Sequence, residues 1–236
     1  MKRLLILAGV GLLAAGAHAN LIADGGFEMG DVYAGQFDGG LSPWSTQYGY
    51  ATNANHSSTD PGSIWYEGNM RVMDQDQAAN NSFSGHSSWD PVIRSEGRSF
   101  LAVNGATNQE NQPFVLQQTF NYSGTGPLQI SFDSVNLYAP GLAAGTSTIA
   151  AWLDGNLLGT TNTQVDNTWR TSFYSVNVTN TGSHTLRIIA NTTQASGNDF
   201  GLDNVQVNAV PEPFTMSLGL ASAGLFLRRR LKAKKA

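Results

Sequence analysis

Apolar and polar residues alternate with a period of two along much of the second half of the chain. Leu128, Ile130 and Phe132 alternate with Gln129, Ser131 and Asp133. Trp169, Thr171 and Phe173 alternate with Arg170, Ser172 and Tyr174, and His184, Leu186 and Ile188 with Thr185, Arg187 and Ile189. This period places successive side chains on opposite faces of a β-strand. Phe100 to Val103, Phe114 to Phe120 and Phe200 to Val207 predict further strands. Asp154-Gly155, between Ala150-Ala151-Trp152-Leu153 and Leu157-Leu158, predicts a hairpin, because glycine there accepts a positive φ. No stretch between residues 20 and 209 carries the 3.6-residue pattern of an amphipathic helix. Many short strands separated by Gly and Asn turns predict an all-β fold, a β-sandwich of the jelly-roll type.

Residues 29–96 differ: Gly, Ser, Asn and Asp crowd between Trp44, Tyr48, Tyr50, Trp65, Tyr66, Phe83 and Trp89. This pattern predicts several loops, and loops on a rigid β scaffold are where binding residues concentrate.

The two ends break the pattern. Met1-Lys2-Arg3, an apolar run from Leu4 to Ala17 and Ala17-His18-Ala19 form a basic region, an apolar region and a small-residue cleavage site. They predict a signal peptide over residues 1–19, helical until signal peptidase removes it. An uncleaved N-terminal helix is the alternative, but the run is shorter than the ~20 residues a spanning helix needs. At the other end stand Val210-Pro211-Glu212-Pro213, an uncharged run from Phe214 to Leu227, and a basic end containing Arg228, Arg229 and Arg230. The prolines lack amide donors and disfavour helix, which leaves an extended segment accessible to a processing enzyme. The apolar run predicts a short hydrophobic helix that enters the membrane, with the basic cluster on the cytoplasmic side.

That order of parts resembles the PEP-CTERM sorting signal, and the resemblance covers residues 210–236. It implies recognition by exosortase, a membrane transpeptidase-like protease, and delivery to the cell surface or extracellular polysaccharide matrix. Before processing, the C-terminal helix would hold the chain in the membrane. A plain tail anchor is the alternative, and it too places residues 20–209 outside the cytoplasm.

Separating the ends from the middle changes the charge. Residues 20–209 hold 16 acidic and five basic residues, a net of −11, and no lysine, whereas the whole chain carries −4. So acidic a surface repels phosphates and anionic lipid, which argues against nucleic-acid binding. A divalent cation or an uncharged ligand suits it better. There is no cysteine, so stability comes from the core or a metal.

A second resemblance rests on Asn20-Leu21-Ile22-Ala23-Asp24-Gly25-Gly26-Phe27-Glu28 and on Gly201-Leu202-Asp203-Asn204-Val205-Gln206-Val207. These look like the first and last strands of galactose-binding-like jelly rolls, including many carbohydrate-binding modules, and Gly182 to Ile188 fits the penultimate strand. In that fold the opening and closing strands often meet at a structural calcium. The resemblance implies Glu28 and Asp203 as carboxylate ligands, with Asp24 a looser third. Otherwise these carboxylates hydrogen-bond turn amides.

Sugar binding needs flat aromatic faces for pyranose C–H groups and a few amides or carboxylates for hydroxyls. Trp65, Tyr66 and Trp89, near Asn69, Asp90 and Arg94, are the candidates, with ordinary packing as the alternative, and Trp44 is assigned to the core. Catalytic motifs are missing: no G-x-S-x-G, H-E-x-x-H or G-x-x-x-x-G-K sequence occurs. Asp74-Gln75-Asp76 starts like a calcium loop and then departs from it. Asp74 with Glu96 is the kind of carboxylate pair that cleaves glycosides, a pairing that 16 acids supply by chance. The sequence therefore predicts a non-catalytic exported protein associating with exopolysaccharide. A structural or adhesive protein without a defined ligand is the runner-up, and a glycan-active hydrolase is third.

Overall fold

The computed structural model describes residues 20–28, 41–52, 57–74, 89, 99–106, 113–138, 145–192 and 198–210. Residues Asn20–Ala209 form one compact unit. The predicted signal peptide, the run from Phe214 to Leu227, and the sorting and basic residues Pro211, Glu212, Pro213, Arg228, Arg229 and Arg230 lie outside the described residues. Among the described residues no helix is long and apolar enough to cross a membrane.

Among the described residues ten strands follow in chain order: β1 Gly49–Tyr50, β2 Asn69–Asp74, β3 Ser99–Val103, β4 Phe114–Tyr122, β5 Gly126–Asn136, β6 Thr148–Leu153, β7 Asn156–Asn162, β8 Arg170–Val178, β9 Gly182–Ala190 and β10 Phe200–Ala209. They form two sheets, ordered β1-β2-β3-β10-β5-β8 and β4-β9-β6-β7. From β3 onward the chain changes sheet at every connection except the β6–β7 hairpin. The resulting pair of four-strand orders, β3-β10-β5-β8 facing β4-β9-β6-β7, is the interleaving of a jelly roll. β1 and β2 extend one edge.

The alternation forecast from the sequence fills the space between the sheets. Leu101, Leu128, Ile130, Phe132 and Leu202 from one sheet share a cluster with Leu116, Ile149, Leu186 and Ile188 from the other, all fully buried. Each such side chain contributes roughly 1.5–3 kcal/mol. Trp44 is buried in the same cluster, as expected, and its Nε1 donates to the Asp24 carbonyl at 3.0 Å. In β8 both parities carry an aromatic: Tyr174 packs on the core and stacks near Phe132, at 6.0 Å between ring centroids. Phe173 stands out at 63% exposure.

A second cluster lies on the outer face of the six-stranded sheet. Phe100 and Ala102 of β3 point there, between the inward Leu101 and Val103. Ala51, Ile64, Met73, Val135 and Leu137 join them, with Trp65, Trp89 and Trp169 packed against the group. The described part of the stretch read as loops thus contains two strands and part of the cover of a second core.

The opening stretch departs from expectation, because Asn20–Glu28 is not a strand. Asp24 and Phe27 adopt positive φ, 48° and 55°, which breaks an extended ladder. The segment is instead an irregular strap along β10, with Leu21 N–H donating to Val207 O at 2.8 Å and Val205 N–H to Gly25 O at 2.9 Å. β10 meets it with a register shift between Asp203 and Gln206, where Asn204 has φ 49°. This bulge leaves the Val205 amide facing the strap rather than a strand partner.

Candidate functional site

The acidic residues named from the sequence come partly together. Asp203, at the bulge, is buried, and its Oδ1 accepts from the Asn204 amide at 2.6 Å. Glu28 Oε1 accepts from the Ser99 amide at 3.0 Å. A Cβ placed on Gly26 would lie 3.7 Å from Glu28 Cγ and 3.8 Å from Asp203 Oδ1, so both side chains border the same small space. Asp24 contributes its carbonyl to Trp44 Nε1 and to the Phe27 amide. Two carboxylates beside backbone carbonyls are oxygen donors of the kind calcium takes. Among the described residues no three Asp, Glu, His or Cys side chains gather to hold a metal.

The aromatic candidates separate by role. Trp65 and Trp89 pack on the second cluster, and Tyr66 is 39% exposed. Trp89 Nε1 donates to Asp199 Oδ2 at 2.7 Å. Asn69, offered as a sugar contact, is buried: its amide donates to Pro61 O at 2.8 Å and Ser63 O at 2.6 Å, which fixes the turn before β2. Asp90, Arg94 and Glu96, with Gln75 and Asp76, lie outside the described residues. Burial perturbs several ionisable groups in this half of the domain, Tyr50 being raised as well. Asp199 is pushed up to about 6, Tyr48 up to about 12, and the Arg71 guanidinium down to about 10.

Sequence reasoning missed the outer face of the four-stranded sheet. Its strands β4, β6, β7 and β9 contain no Asp or Glu and one arginine, Arg187, within a unit that is otherwise strongly acidic. Register sets Gln117, Arg187, Trp152 and Leu157 in one row across this face. Arg187 Nε donates to Gln117 Oε1 at 2.5 Å, and its guanidinium carbon stands 5.4 Å from the Phe114 ring centroid. Stacking and the amide hold the fork in one orientation. In the next row the Thr119 and Thr185 hydroxyls are 3.0 Å apart. Leu157 is 51% exposed, Trp152 half-buried and Arg187 exposed. The missing acids are visible in the sequence; which of these side chains are neighbours depends on register, which is not.

No protein-family model matches the chain, and no curated protein does. Solved structures do. A family 61 carbohydrate-binding module in complex with β-1,4-galactotriose aligns at 14% identity and TM-score 0.45, covering 81% of this chain and 99% of that one. A family 22 xylan-binding domain from Paenibacillus barcinonensis aligns at 13% and 0.44, covering 83% and 97%. An arabinose-bound α-L-arabinofuranosidase aligns at 11% and 0.44, covering 81% of this chain and 26% of that one. At such identities and TM-scores none of them assigns a ligand to this chain.

Proposed function

We propose that the protein is exported, sorted through its Val210-Pro211-Glu212-Pro213 tail by an exosortase-type protease, and associates with polysaccharide through the outer face of the four-stranded sheet. The observation that carries the binding reading is the row Gln117–Arg187–Trp152 across strands that contain no Asp or Glu. An indole edge, a stacked guanidinium, an amide and threonine hydroxyls offer a pyranose chain an apolar surface and several donors. Among the described residues the four strands themselves place no Asp or Glu side chain on this face. Calcium belongs to the same reading as a structural ion beside Glu28 and Asp203.

Affinity electrophoresis of the full chain through gels containing neutral or uronate-bearing polysaccharide tests the binding. The expected result is retardation that saturates with polysaccharide and weakens at least ten-fold in Arg187→Ala. Equal mobility with and without every polysaccharide favours the structural or adhesive reading, and release of reducing sugar favours the hydrolase. Mass spectrometry of the surface form tests the sorting: loss of the Arg228–Arg230 end is expected, and an intact basic end contradicts it.

A further inference from the structure

A sheet edge is a row of unpaired N–H and C=O groups, and folded chains blunt such edges by shortness, charge, proline, bulges or a cover. Among the described residues four edges bound this sandwich, at β1, β8, β4 and β7. β1 is two residues long. β4 is covered: Ser45 and Gln117 exchange backbone hydrogen bonds at 2.9 and 2.8 Å, and the Gln47 amide donates to Phe114 O at 3.1 Å. β7 has a bulge, Leu158 falling between Gly159, opposite Ala151, and Leu157, opposite Trp152. β8 has none of these devices. It pairs with β5 from Arg170 to Val178 without a register shift, and among the described residues no strand lies on its other side. It contains no proline, and its one charged residue, Arg170 at the start, is paired with Asp166.

The edge also stands out in polarity. Phe173 is 63% exposed, and its neighbour in the ladder is Ser131 of β5. β7 lies across the sandwich from β8, since a Cβ on Gly159 would stand 2.5 Å from Tyr174 Cε1, and β7 contains no charged residue. An occupant of this edge must supply an extended strand of its own, accept an aromatic side chain and bring little charge to a body of −11. A second β8 meets all three conditions.

We propose that two copies of the chain pair antiparallel along β8, Phe173 opposite Phe173, so that their six-stranded sheets run on as one. The pairing is isologous and closes on itself. Arg170 then lies opposite Val176, Thr171 opposite Ser175 and Ser172 opposite Tyr174, so no like charges meet and the two phenylalanine rings cover each other. Asp133, whose Oδ1 accepts from Thr171 Oγ1, sits one strand behind the seam. Its two copies are three strand spacings apart, roughly 14 Å, beyond the ~8 Å Debye length at 0.15 M salt. The pairing does not rest on the glycan reading and would hold equally in a structural or adhesive protein.

The test is sedimentation velocity of the full chain from about 1 to about 100 µM, the range of weak specific association. A concentration-dependent doubling of mass is expected. Phe173→Lys, which sets two ammonium groups opposite each other, should raise the dissociation constant about ten-fold or more. Tyr66→Lys, the same change at an exposed aromatic on the turn before β2, should leave it unaltered, and an equimolar mixture of Phe173→Lys and Phe173→Glu should associate again. The chain has no cysteine, so single cysteines read the register. Phe173→Cys should give a disulfide-linked dimer under mild oxidation, and Asn177→Cys, offset from its own copy by several residues, should not, because the bond needs Cα atoms within about 7 Å. A monomer at every concentration, association equally strong in Phe173→Lys, association only with an unrelated extended peptide, or cross-linking no better at 173 than at 177 overturns the proposal. Should Phe173→Lys fail to fold, the two cysteine variants decide alone.

Discussion

Gly25 shows how one residue fixes the path of the opening strap. A Cβ there would stand 1.8 Å from Val205 O, a backbone atom that cannot swing aside. Gly25→Ala is therefore expected to cost about 2–4 kcal/mol, in the range of severe local overpacking and lost backbone hydrogen bonds. A urea melt reads it, and a loss below about 0.5 kcal/mol would mean that the strap does not lie against β10 as described. Asn69 makes the complementary point. Its position among loop aromatics suggests a ligand contact, yet its amide is spent on two backbone carbonyls. A polar side chain in a Gly- and Ser-rich stretch looks the same in sequence whether it faces solvent or satisfies a turn. Which it does depends on the chain folded over it.

At the scale of elements, the strands with one apolar parity were legible. β5, β9 and β10 run where the alternation put them, and Asp154-Gly155 turns β6 into β7 with φ values of 51° and 79°. β8 was less so, because Phe173 and Tyr174 put an aromatic on each parity, and the opposing sheet alone selects Tyr174. β2 escaped notice: Met70 and Val72 alternate with a buried Arg71, a residue that reads as exposed until Tyr50 and the second core are folded around it. The opening strand failed because positive φ at Asp24 and Phe27 cannot be seen in a short apolar run.

The β6–β7 hairpin also carries a prediction. Asp154 Oδ1 accepts the Thr185 amide at 2.8 Å, and its Oδ2 lies 2.7 Å from Nδ1 of the buried His184. Asp154→Ala strips both contacts and puts a Cβ-only residue at positive φ, for an expected loss of about 2–4 kcal/mol. Asp154→Asn keeps the turn and one acceptor and should lose about half as much. Thermal melts of the two variants check the order; equal stabilities would show that the carboxylate does not organise this end of the sandwich.

For the whole molecule, charge is the dominant global feature, at −11 over residues 20–209. Self-repulsion of that size is screened by salt, so the melting temperature should rise between 0.01 and 0.15 M NaCl, where the Debye length falls from about 30 to about 8 Å. Calcium at ~1 mM, well above the affinities of many oxygen-ligand sites, should raise it further. EDTA should reverse that increment and Asp203→Asn should abolish it. An effect of calcium no larger than that of matched ionic strength would remove the ion from the account. Against this acidic background the four-stranded face is the exception, and its lack of Asp and Glu was open to view in the sequence. What the sequence withheld was the register that sets Gln117, Arg187 and Trp152 side by side.

The most direct test of that face compares the full chain with Arg187→Ala and Gln117→Ala by affinity electrophoresis against a polysaccharide that retards the wild type, with circular dichroism melts confirming that both variants fold. Both substitutions lie on the solvent side of the sheet, so melting temperatures should stay within a few degrees of wild type while the dissociation constant rises ten-fold or more for Arg187→Ala and several-fold for Gln117→Ala, the scale of one or two lost hydrogen bonds. Retardation unchanged in both folded variants would contradict the assignment of the binding surface.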